Sequence, residues 1–123
     1  MGTAKSPAQI RQELLGLQRA FLAQLPDRVQ AIETALNEAL GAREIDRPGV
    51  DALFHLAHRL CGSAGIYGCS AVHTAAGAIE RVAEGLRAAG GKDEPSQVAE
   101  LRQLVEALKR AADEAQAGPA AKP

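Results

Sequence analysis

The chain has 123 residues, a formal net charge of −1 and a hydrophobic fraction of 46%, of which little is aromatic. That length holds one domain, and a composition rich in alanine and leucine suits an all-helical bundle packed from small aliphatic side chains. The near-neutral charge excludes the electrostatic footprint of a nucleic-acid binder, and no apolar run nears the roughly 18 residues of a membrane span. Met1 to Ala8 is short and polar with no signal-peptide pattern, so a cytoplasmic protein is expected.

Residues 1–7 read as a flexible lead-in. From Ile10 an apolar stripe runs through Leu14, Leu17, Phe21, Leu25, Val29, Ile32, Leu36 and Leu40, at steps of three or four. Pro26 lies inside it and should interrupt a helix. The stripe nevertheless keeps its phase across Pro26, which a stopped and restarted helix would have no reason to do. One long kinked helix is therefore expected, ending at Gly41, and the whole stripe is assigned to the core.

Asp46-Arg47-Pro48-Gly49 opens a second helix, with Asp46 as N-cap and Pro48 in the first turn. It runs from about Arg47 to Tyr67, and Gly68 ends it in a left-handed conformation. Ser70 caps a third helix, whose stripe is Val72, Ala75, Ala76, Ile79, Val82, Ala83 and Leu86. Gly90-Gly91 stops it. Asp93-Glu94-Pro95-Ser96 opens a fourth, with Val98, Leu101, Val105, Leu108 and Ala112 on its inner face. Residues 8–116 then form an antiparallel up-down-up-down four-helix bundle, and 117–123 a flexible tail. Along one helix Cys61 and Cys69 would stand about 12 Å apart, beyond the reach of a disulfide, so both are expected as free thiols.

The second helix holds the unusual stretch, His58-Arg59-Leu60-Cys61-Gly62-Ser63-Ala64-Gly65-Ile66-Tyr67-Gly68. At about 100° per residue, Leu53, Leu56, Leu60 and Tyr67 fall on one side and His58 points the opposite way. Phe54 and Cys61 flank it on one edge and His55 on the other. Gly62 and Gly65 lie along the helix from it. Each glycine in a helix interior costs about 1 kcal/mol relative to alanine. Bare backbone beside an outward imidazole has a reason if another molecule's backbone must come close.

His58, Leu60, Gly62, Ser63, Ala64 and Gly68 match in register the signature of the histidine-containing phosphotransfer (HPt) domains, which the chain resembles over all but its two ends. Cys61 departs from that signature, standing where the family usually has Lys. The resemblance implies a four-helix bundle whose active histidine faces solvent midway along a helix. It implies that His58 accepts a phosphoryl group from a receiver-domain aspartate and passes it on, in a two-component phosphorelay with a response-regulator receiver and a sensor or hybrid histidine kinase. Neutral imidazole is a competent nucleophile near pH 7. Phe54, His55, Ala57, Cys61, Gly62 and Gly65 would form the partner's docking surface. Arg59 is the candidate for replacing the missing lysine charge.

No glycine-rich nucleotide loop is present. The chain reads as a phosphotransfer intermediate rather than an ATP-dependent kinase, with no cofactor of its own and Mg²⁺ supplied by the receiver. Two other readings use the same residues. One is a non-catalytic helical adaptor that binds a signalling partner. The other is a metal site from His55, His58 and Cys61, which recur along one face but stand awkwardly for one tetrahedral ion and leave the glycines unexplained.

Overall fold

A computed structural model of the chain describes residues 4–40, 47–88 and 95–117, and these contain four helices and no strand. They are α1 (Pro7–Leu40), α2 (Arg47–Ile66), α3 (Ser70–Ala88) and α4 (Pro95–Ala117). Gly41, Asp46, Gly90-Gly91, Asp93-Glu94 and 118–123 lie outside the described residues.

Ser6 caps the start of α1. Ser6 Oγ accepts the Gln9 backbone N–H at 3.1 Å, and Gln9 Oε1 accepts the Ser6 N–H at 2.8 Å. This reciprocal pair satisfies donors that the first turn leaves open. Pro7 follows in the position where a missing N–H costs nothing. From there α1 is a single helix through Pro26. Ala117, expected in the tail, is the last residue of α4.

The core is aliphatic, and among the described residues no polar or charged side chain is buried. Leu25, Ile32, Leu53, Leu60, Ile79, Leu101 and Leu108 lose essentially all contact with solvent. The α1 stripe joins this core only from Phe21 onward. Ile10, Leu14 and Leu17, assigned to the core from their spacing, are about half exposed, as is Leu15. Among the described residues, Gln18 is the first residue of α1 with a hydrogen bond to the α2–α3 hairpin.

Neighbouring helices run past one another in opposite order. Along α1 and α2, Gln18 donates to the Tyr67 carbonyl, Arg28 to Ser63 Oγ, and Ala39 abuts Gly49. A Cβ on Gly49 would stand 2.8 Å from the Ala39 Cα, so bare backbone lets these helices meet. Along α2 and α3, Asp51 pairs with Arg87, His58 with Glu80, and Cys61 with His73. Along α1 and α4, Glu33 pairs with Lys109, and the Gln116 amide donates to the Leu22 carbonyl. The α2–α3 hairpin carries the site.

Gly68 makes the hairpin's turn at φ +73°. Cys69 N–H donates to the Ala64 carbonyl at 2.9 Å and Gly68 N–H to the Gly65 carbonyl at 3.4 Å. This is the Schellman arrangement that closes a helix C-terminus, and its left-handed residue suits glycine. No described helix is long and apolar enough to cross a membrane.

Candidate functional site

Leu53, Leu60 and Ala64 of α2 face the core with almost no exposure. Their burial fixes the rotation of the helix and turns His58 outward, where its side chain is 63% exposed. Phe54, one turn earlier, stacks on the imidazole with centroids 5.9 Å apart and planes 12° apart. Phe54 also lies under the Arg87 guanidinium, 4.3 Å from its carbon. Arg87 is held in turn by Asp51 at 2.8 Å and Glu84 at 3.0 Å. The ring of His58 therefore rests on a supported aromatic.

His58 Nδ1 lies 3.0 Å from Glu80 Oε2 on α3. An ionised carboxylate only accepts, so the ring proton belongs on Nδ1. In the neutral ring this leaves the Nε2 lone pair free.

The glycines divide into two kinds. A Cβ on Gly62 would meet nothing within 4 Å, so no described residue requires glycine there. A Cβ on Gly65 would stand 3.1 Å from His73 Nδ1. Gly65 thus has an internal reason, because it makes room for His73. His73 is exposed on α3 and bridges to α2. Its Nδ1–H donates to the Cys61 carbonyl at 2.8 Å, and the Cys61 sulfur is 3.4 Å away.

Ala57, expected on the docking surface, has no exposed surface. It is wholly buried in the core. Phe54 and Cys61 are half-buried and His55 is exposed. His55 sits edge-on to Phe54. Arg59 is exposed on the α1 flank of α2, lining a groove with Arg28, Leu56 and Leu60. It is therefore away from the flank that carries Glu80. Ser63 accepts a hydrogen bond from Arg28 and so joins α1 to α2.

Both cysteines are free. Burial pushes the Cys61 thiol up from its ordinary value, the Glu80 carboxylate adds to this, and Arg81 opposes it. Burial also raises the Cys69 thiol. Among the described residues no three His, Cys, Asp or Glu side chains converge to hold a metal. His55, His58 and Cys61 do not come together, since His58 is turned to Glu80 and Cys61 to His73.

Sequence reasoning missed Glu80. The signal was present in the hairpin: His58 stands ten residues before Gly68 and Glu80 twelve after. Folding the chain back at that turn brings the two to one level.

A family model described as the Hpt domain matches residues 16–111. Neither the curated proteins nor the solved structures give a match to the chain.

Proposed function

Because the chain belongs to the Hpt domain family, we propose that it relays a phosphoryl group on His58 between receiver-domain aspartates, and exchanges it with a sensor or hybrid histidine kinase, in a cytoplasmic two-component phosphorelay. The observation that carries this reading is the state of the ring. His58 faces outward, and Glu80 holds its Nδ1 while Nε2 stays open.

The transfer starts from neutral imidazole. The Nε2 lone pair attacks the phosphorus of an aspartyl phosphate. The N–P bond forms as the P–O bond to the aspartate breaks, and that electron pair leaves on the aspartate carboxylate. The ring retains its Nδ1 proton and becomes cationic. Glu80 then faces that positive charge across a charge-assisted hydrogen bond, worth more than a neutral one. Reversal delivers the group to a second aspartate. Such chemistry is largely positioning and charge stabilisation. Mg²⁺ would be the receiver's contribution, beside its own aspartate. The open space at Gly62 gives the receiver's loops a close approach to Nε2.

The test is transfer from a panel of radiolabelled phospho-receiver domains. Acid-labile, base-stable label should appear on the wild type and not on His58→Gln. Equal labelling of His58→Gln overturns the assignment. Tight receiver binding with no label from any donor would make the chain an adaptor instead.

A further inference from the structure

We propose that Arg81, on α3, supplies the positive charge for the phosphoryl group on His58. The proposal rests on the phosphotransfer reading of His58 and names a residue that reading does not include.

A phosphoryl group on Nε2 brings close to two negative charges beside Glu80, itself a carboxylate 3.0 Å from the ring. Like charges so placed repel unless a cation lies between or beside them. Position 61, one turn beyond His58 on the α3 edge of α2, would be the natural place for one, but it is cysteine. The other cations near the site are held by partners or stand on another flank. Arg87 is held by Asp51 and Glu84 beside Phe54. Arg28 donates to Ser63. Arg59 stands on the α1 flank.

Arg81 stands on the helix that carries Glu80. It is exposed, and among the described residues it forms no ion pair. Its guanidinium leans back along α3 over Gly77: Nη1 lies 3.6 Å from where a Gly77 Cβ would be, and Cys61 Sγ lies 3.4 Å from that same point. The cation and the thiol thus flank one bare spot, at the level where a lysine on α2 would stand. The charge is felt there, since Arg81 opposes the rise of the Cys61 thiol. A guanidinium presents a fork of donors that matches phosphate oxygens. Its long stem lets it swing from Gly77 toward the imidazole, about one helical turn away.

Four proteins decide the matter: wild type, Arg81→Ala, Arg81→Lys, and Arg81→Ala combined with Cys61→Lys. Each is loaded from the same phospho-receiver, and the loading rate and phosphohistidine lifetime are followed at low and high salt. Arg81→Ala should still take label on His58 but load about tenfold more slowly, the scale of one lost charge-assisted hydrogen bond. Its rate should lose most of the salt dependence seen in the wild type. Arg81→Lys should recover part of the loss, and Cys61→Lys should restore the charge from the other helix. The thermal midpoints of wild type, Arg81→Ala and Arg81→Lys should stay together, because Arg81 is exposed. A labelled wild type matched by Arg81→Ala in rate, lifetime and salt response overturns this inference alone. A wild type that takes no label overturns the phosphotransfer reading and this inference with it.

Discussion

Gly62 sets folding against function at a single atom. A helix-interior glycine is weaker than alanine by about 1 kcal/mol, and a Cβ here would stand in open space. Gly62→Ala should therefore raise the thermal midpoint by a few degrees in a domain of this size. The same methyl group would stand on the surface a receiver must approach, so phosphoryl transfer to His58 should slow. Denaturation and transfer kinetics on one preparation check both signs. A variant both more stable and equally fast would remove the reason given for the glycine. The angular position of Gly62 relative to His58 was legible in the sequence, because helical spacing alone places them on one face. The reason for Gly65 was not. It depends on His73, which reaches back from the next helix, and spacing within α2 carries no information about that.

At the scale of elements, periodicity located all four helices but not the start of the core. A stripe shows which face of a helix is apolar, not whether a neighbour arrives to cover it. Lengths carry the missing information. α1 has 34 residues against 20, 19 and 23 for the others, so at 1.5 Å per residue it must overhang one end. The overhang is the stretch up to Leu17, and the family match opens at residue 16, leaving Ile10 and Leu14 outside it. Replacing Leu14 and Leu17 together with Gln should change stability by no more than about 0.5 kcal/mol each. Leu25→Ala, on the same stripe but fully buried, should cost about 2–5 kcal/mol. Chemical denaturation distinguishes them, and a large loss from the Leu14 and Leu17 pair would mean that the overhang is covered. Apolar side chains gathered on one exposed helix end are the kind of patch that marks contact with another molecule.

For the whole molecule, the site belongs to the bundle rather than to α2. His58 is on one helix and Glu80 on another, and their 3.0 Å contact requires α2 and α3 to lie close. Ala57, Ala64, Ala76 and Ala83 are all wholly buried in the one core. Ala57 is the neighbour of His58 in sequence and lies in that core. Ala57→Leu adds a branched side chain to a filled interior, which typically costs about 1–3 kcal/mol. The strain is relieved most readily by moving the helices apart, and that separates the imidazole from its carboxylate. Ala57→Leu should therefore lower the thermal midpoint and also slow loading of His58 to nearly the level of Glu80→Ala. The double variant should be little slower than either single one, because both changes remove the same contact. If Ala57→Leu destabilises the bundle while loading stays at the wild-type rate, the carboxylate's hold on the ring does not depend on helix spacing. If the two losses simply multiply, Ala57 acts through some contact other than Glu80.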